Sequence, residues 1–319
     1  MRFAAALLAC IAGVAHAQGK PADYPRKPIR VVVGVAPGSG LDYMSRLAAQ
    51  KITERWGQSV IVDNRPGGGT VVAMDTVAQA PPDGYTLLGA SETLIMSGIF
   101  ARARYDVRKA FVPVAQLTTQ PYMLLVHPSV PVKNVSELVA YAKAKPRSLN
   151  FGSQGHGTVG HIGLERFKLL TGTDIVHVAY KGAAPALIDL VAGNVQMGFV
   201  TVATSGVHLK SGKLRAIAFT GASRSTVMPD VPTLTEAGIP LELRNTYGYV
   251  APARTPRGIV RALNEVVADV MNAPATVSLL AAAGNEVVPR MSPDEAKAKF
   301  DREYAETETI IRKLNIRLE

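Results

Sequence analysis

Two stretches, Pro37-Gly38-Ser39-Gly40-Leu41-Asp42 and Ser153-Gln154-Gly155-His156-Gly157-Thr158, combine glycine with hydroxyl and small polar residues. Each follows an apolar run, Pro28 to Val35 in the first case and Leu149 to Gly152 in the second. Each then enters helical spacing: Met44, Leu47, Ala48 and Ile52 share one face after the first, and a helix is expected over Val159–Thr171 after the second. A strand that empties through a glycine loop into a helix N-terminus suits anion binding. The first helical N–H groups have no intrahelical partners, and the helix dipole favours negative charge there. Glycine lets the backbone approach a ligand and adopt positive φ, which is expected of Gly38 and Gly40. The first stretch alone fits a tight, ligand-free turn equally well.

Other chemistries find less support. A nucleophilic hydrolase needs Ser near His, often as G-x-S-x-G, and neither Gly38-Ser39-Gly40 nor Gly152-Ser153-Gln154-Gly155 has that spacing. His156 and His161 lack the H-E-x-x-H arrangement, so each reads as a loop or helix-surface residue and no metal is expected. Gly38-x-Gly40 lacks the third glycine of a dinucleotide fingerprint, and Gly67-Gly68-Gly69 lacks the Lys-Ser/Thr of a P-loop. What is left is a binding protein with two anion-binding loops. A secreted hydrolase using Ser39 or Ser153 with one of the histidines stands as the alternative from a different class.

The elements that must position these loops read as strands alternating with helices. Ile29–Val33, Ser59–Val62 and Tyr85–Gly89 are strands separated by helical segments, which implies parallel pairing through right-handed crossovers. From Val112 two strand-like runs follow, Val112–Leu117 and Tyr122–His127. Asn134-Val135-Ser136-Glu137 and Ser292-Pro293-Asp294-Glu295 are capping boxes that open helices, the second mostly solvated. Between them lie strands at Ile175–Tyr180, Val195–Val200 and Leu214–Thr220, helices at Ala184–Val191 and up to Lys210, and a strand at Tyr247–Pro252 before a helix after Pro256.

The chain opens with Met1-Arg2, an apolar run from Phe3 to Val14 and the A-x-A motif Ala15-His16-Ala17, so residues 1–17 read as a signal peptide and Gln18 as the mature start. The run is too short to span a bilayer. Cys10 is the sole cysteine, so the exported chain carries no disulfide and stability rests on burial. The 319 residues suggest two domains. The net charge of +10 is scattered, without the basic stripe of a nucleic-acid binder.

Several motifs together resemble the Bug-type periplasmic receptors, the solute-binding components of tripartite tricarboxylate transporters. They are Pro37-Gly38 followed by Asp42, Asp63-Asn64-Arg65-Pro66-Gly67, Pro82-Asp83-Gly84-Tyr85-Thr86-Leu87-Leu88, Gly152-Ser153-x-Gly155-x-Gly157-Thr158-x-x-His161, Tyr180-Lys181-Gly182-Ala183 and Pro229-Asp230-Val231-Pro232-Thr233. The resemblance implies an α/β, two-domain periplasmic-binding-protein fold of type II with the ligand cleft between domains. It places 24–125 in domain 1, 126–246 in domain 2, and 247–319 back on domain 1. It carries Pro37, Gly38, Ser39, Gly40 and Asp42 onto one binding loop and Ser153, Gln154, Gly155, His156, Gly157, Thr158 and His161 onto the other, with Ser91 and Thr201 beside them. Thr158 is expected to be the side chain whose loss a ligand feels most.

The implied partner is a small organic acid (a mono- or dicarboxylate, or an aromatic acid) and then membrane transporter subunits or a sensor kinase. No cofactor is expected, and the receptor is expected to be a periplasmic monomer. Three positions depart from the family pattern. Ser39 replaces a second glycine, Val200-Thr201 replaces a polar Asp or Asn, and the Asn-Pro usual after the third strand is absent around Ser97-Gly98, with Glu92 nearby. An amino-acid ligand would lose its ammonium partner at Thr201. Glu92, if it faced the cleft, would repel a second carboxylate.

Overall fold

The computed structural model describes residues 23–100, 103–313 and 316, so the expected signal peptide lies outside the described residues. Chain order begins β1 (Ile29–Val33), α1 (Gly40–Trp56), β2 (Val60–Asn64), α2 (Val71–Ala78), β3 (Thr86–Ala90), α3 (Glu92–Ile99), α4 (Val107–Ala110) and β4 (Phe111–Val126). It continues α5 (Val135–Ala144), β5 (Asn150–Ser153), α6 (Val159–Thr171), β6 (Val176–Ala179), α7 (Ala183–Ala192), β7 (Met197–Thr201), α8 (Val202–Lys210) and β8 (Arg215–Phe219). It ends β9 (Arg244–Pro252), α9 (Arg257–Met271), α10 (Pro274–Ala282) and α11 (Pro293–Lys313).

The strands run β2-β1-β3-β9-β4-β7-β5-β6, with β8 on the other edge of β4. As the βαβ reading required, β1 pairs in parallel with β2 and β3. The run Val31-Val32-Val33 is buried on both faces, as in a central parallel strand covered by helices. Side-chain alternation divides it: Val31 and Val33 pack with Met44 of α1 and Leu263 of α9, whereas Val32 packs with Met74 of α2 and Tyr304 of α11. β4 repeats the device in the second half. Its Tyr122, Leu124 and Val126 join Leu138 of α5 and Phe167 of α6, while Met123 and Leu125 join Leu187 and Leu190 of α7.

The two runs expected at Val112–Leu117 and Tyr122–His127 are one strand, β4. The polar Thr118-Thr119-Gln120 reads as a break in sequence, but these residues are buried because β9 and a passing segment satisfy them. Residues Phe111 to Pro121 pair antiparallel with β9, and residues from Tyr122 onward pair with β7 and β8. One strand therefore belongs to both halves, and β9 returns beside it. Thr118 Oγ1 donates to Glu286 O at 2.7 Å, and Thr119 and Glu286 exchange backbone hydrogen bonds at 3.1 and 2.7 Å. The terminal helix is less solvated than its charge suggests, because Ala296, Tyr304 and Ile311 are buried.

The second connection between halves closes on one hydroxyl. Thr220 Oγ1 accepts the Tyr122 N–H at 2.9 Å and lies 3.0 Å from Tyr122 O and 2.6 Å from Leu243 O, one of which takes its proton. The residue is fully buried. Thr220→Val should therefore lower the unfolding free energy by about 1–3 kcal/mol, since an unpaired buried backbone group keeps its desolvation cost. Urea melts check this, with the exposed Thr309→Val as a near-neutral control.

Candidate functional site

Strand register brings the sheet edges that carry the two glycine loops toward one strand. Ala90, the end of β3, pairs with Gly248, which pairs in turn with Gln116 of β4. Thr201, the end of β7, pairs with Tyr122 of the same strand. The C-terminal edges of the parallel strands in both halves thus converge on β4 between Gln116 and Tyr122. Ligands of open α/β sheets bind at such edges.

At the first loop, Gly38 adopts φ 83°, which a side chain would strain. Its N–H donates to Asp42 Oδ2 at 2.9 Å, and Ser39 caps α1 by accepting the Asp42 N–H at 3.3 Å. The Asp42 carboxylate, 4% exposed, also accepts Arg46 Nε at 3.0 and 3.1 Å and Asn64 Nδ2 at 2.8 Å. Burial raises its pKa, but bonds from Arg46, Gly38 and Asn64 outweigh this and hold the carboxyl below its ordinary value. Asp42 therefore braces the loop from behind. Gly40, expected to need positive φ, does not have it. A glycine stands there because a Cβ would sit 2.5 Å from the hydroxyl of Tyr247, a buried residue of β9.

At the second loop, Gly155 and Gly157 adopt φ 134° and 71°. Ser153 is fully buried; its Oγ accepts the Gly155 N–H at 3.1 Å and lies 2.7 Å from His177 Nε2. Thr158, expected to offer its hydroxyl to a ligand, uses it to cap α6. The hydroxyl donates to Gly155 O at 2.8 Å and accepts the His161 N–H at 3.4 Å. His161, read from sequence as a loop or helix-surface residue, is 8% exposed and accepts the Gly157 N–H on Nδ1 at 3.0 Å. Its helix position alone does not reveal this burial, because His177 comes from the next strand to cover it.

The remaining expected side chains are also engaged locally. Gln154 Nε2 donates to Phe199 O at 3.3 Å, Ser91 Oγ pairs with Thr93 Oγ1 at 2.9 Å, and Thr201 Oγ1 pairs with Thr204 Oγ1 at 2.6 Å. Pro37 and His156 are exposed at the loop tips. With these side chains engaged, what the loops have left is helix N-terminal backbone. In α1 the Asp42 and Tyr43 amides are capped by Ser39, and in α6 the His161 and Ile162 amides are capped by Thr158. The amides before them, Gly40 and Leu41 in one helix and Val159 and Gly160 in the other, receive nothing from these caps.

A cavity of about 470 Å³ adjoins the crossing of β4 and β9, lined by Glu92, Met96, Ile162, Arg166, Thr246 and Glu286. None of the sequence-expected binding residues lines it. Glu92 was expected to repel a second carboxylate only if it faced the ligand cleft. Instead its Oε1 accepts the Thr246 N–H from β9, and its Oε2 is buried without a partner among the described residues. Burial raises its pKa to about 8 against the pull of the Thr246 N–H, with Glu303 adding to the rise. Glu92 is therefore neutral at pH 7. Local sequence pattern does not reveal its bond to β9, because the partner lies 154 positions away.

Comparison with known proteins places this architecture. The model of the tripartite tricarboxylate transporter family receptor matches residues 44–316. BugT of Bordetella pertussis is 31% identical over 299 residues, 92% of this chain and 91% of BugT. R. palustris Rpa4515, solved with adipate, has a TM-score of 0.82 at 33% identity and covers 92% of this chain and 99% of its own. MatC from Rhodopseudomonas palustris, with bound malate, has a TM-score of 0.77 at 30% identity and covers 90% of this chain and all of its own.

Glu92 yields a pH test. Its folded pKa lies above the unfolded value, so between about 4.5 and 8 the folded state holds a proton the unfolded state has lost, and stability falls as pH rises through that window. Glu92→Gln keeps a carbonyl for the Thr246 N–H and removes the titration. The variant should melt with wild type at pH 4 and at least about 2 °C higher at pH 8, read by calorimetry.

Proposed function

The chain belongs to the tripartite tricarboxylate transporter receptor family, and from that membership we propose that it captures a small carboxylated solute in the gap between its two halves. The observation that carries this reading is the pair of helix N-termini, α1 and α6, whose glycine loops rise from edges converging on one stretch of β4. Their nearby hydroxyls are already committed to caps and loop bonds, so recognition falls to backbone amides. Such amides hold a carboxylate well and read little of the rest of the solute. The adipate and malate of the two structural relatives are ligands of that class.

In this reading residues 24–125 and 247–319 form one domain and 126–246 the other. The crossing of β4 and β9, bulged at Pro113–Ala115 and Gln116–Thr118, is the hinge on which they close. The closed receptor delivers its solute to membrane transporter subunits from the periplasm, after residues 1–17 are removed. A receptor is favoured over a hydrolase by the enclosure of Ser153 and by the bonds that hold its hydroxyl to His177 and Gly155.

Native mass spectrometry of protein purified without denaturation should reveal a retained organic acid. Adipate or malate at a hundredfold excess over Kd should then stabilise refolded protein by about 2.7 kcal/mol. Gly155→Val and Gly157→Val force a side chain into positive φ, and each should lose at least about tenfold in affinity by calorimetry. Thr158→Val acts only through the cap and should lose less. Glycine variants that fold and bind like wild type, or ester turnover abolished by Ser153→Ala, would sink the proposal.

A further inference from the structure

Three histidines that the solute reading does not use meet at the second loop. His156 is exposed between Gly155 and Gly157, His161 is buried in the first turn of α6, and His177 is half-buried on β6. The His161 and His177 rings are stacked, with centroids 4.0 Å apart and planes 4° from parallel. His156 meets both edge-on, at 5.5 and 5.3 Å. One ring nitrogen from each residue lies within 4.8 Å of the other two.

The protons can be placed by chemistry. A backbone N–H only donates, so His161 Nδ1, which takes the Gly157 N–H, carries a lone pair, and the ring is neutral. A lone pair in place of a proton is what metal ligation requires. His177 Nε2 lies 2.7 Å from Ser153 Oγ and shares a hydrogen bond with it. The nearest carboxylate on α6, Glu165, is engaged by Lys168 Nζ at 3.0 and 3.1 Å. The donor set is thus imidazole alone.

We propose that His156, His161 and His177 form a binding site for a divalent transition metal of the zinc, cobalt, nickel or copper class, with a further position open to an oxygen ligand. Three imidazoles and an open position make a familiar zinc environment, whereas magnesium and calcium require oxygen donors that this cluster lacks. Metal–nitrogen bonds of 2.0–2.1 Å put ligand nitrogens about 3.4 Å apart in a tetrahedral site, so the cluster must contract. Stacked rings cannot both hold one ion in their planes, so His161 or His177 must also turn about the soft torsion that orients an imidazole. His156, between two glycines at positive φ, has the backbone freedom to follow.

Ligation is coupled to the loop. Neutral His161 has one lone pair, and Gly157 now occupies it. A metal takes that lone pair at Nδ1, or the ring proton moves to Nδ1 and the metal binds Nε2. Either route releases the Gly157 N–H, which becomes available to an oxygen ligand beside the ion. The site is open to solvent through His156, and it does not depend on the identity of any solute.

The test uses the mature chain, free of any tag and stripped with a chelator, titrated with zinc chloride by calorimetry and with cobalt chloride by visible absorption. The expected result is one metal per chain, a cobalt spectrum of nitrogen ligation at low coordination number, and a displaced Gly157 amide resonance. His156→Ala and His177→Phe should each weaken binding by at least about tenfold; the phenyl ring preserves the stack, and circular dichroism checks the fold. His127→Ala and His208→Ala should bind like wild type, since neither residue belongs to the cluster. No stoichiometric metal binding, or binding unchanged in His156→Ala, overturns the proposal. So does loss of binding on removal of His127 or His208 alone.

Discussion

The structure depends on the antiparallel pairing of β4 with β9. This ladder runs from Phe111–Pro252 to Pro121–Arg244, and beyond it β4 continues into the second half. Because one strand serves both halves, its direction fixes which edges of the two halves confront each other. A chain that crossed between halves through a loose linker would impose no such relation. The buried threonines along the crossing, Thr118, Thr119 and Thr220, show how such a strand is kept polar yet satisfied. Each finds backbone partners from a distant segment, so the crossing can be buried without orphaned groups.

The loops at those edges follow a common economy. Ser39, Asp42, Ser153 and Thr158 look like ligand contacts in sequence, yet each spends its polar atoms on neighbouring backbone or side chains. Their work is to hold the loop amides in place. Preorganised amides bind without first surrendering flexibility, which is the advantage of a rigid site over a mobile one. The family relation gives this arrangement its setting, since receptors of similar sequence and fold have been solved with adipate and malate. The same economy bears on Glu92, whose carboxyl holds the hinge strand and keeps its proton.

Local pattern was enough for much of the fold. The valine run of β1, the Gly57 and Gly172 helix ends at left-handed φ, and the capping boxes at Asn134 and Ser292 all act within a few residues. Their physics is short-range, so the sequence carries it openly. The positions of both glycine loops, and the positive φ of Gly38, belong to this class.

Tertiary structure decided everything that required partners far along the chain. Gly40 is a glycine because of Tyr247, Glu92 holds its proton because burial encloses it and outweighs the Thr246 N–H, and β4 is one strand because β9 and Glu286 satisfy its polar middle. The histidine cluster is the clearest case. His156 and His161 lie five residues apart, but His177 reaches them only because β6 pairs with β5, setting Ser153 beside Ala179 at the loop. Sequence spacing records what one helix or strand can place on its own face. Where separate elements meet, the closing of the sheets decides which side chains share a site, since burial and long-range hydrogen bonds exist only once the chain has folded.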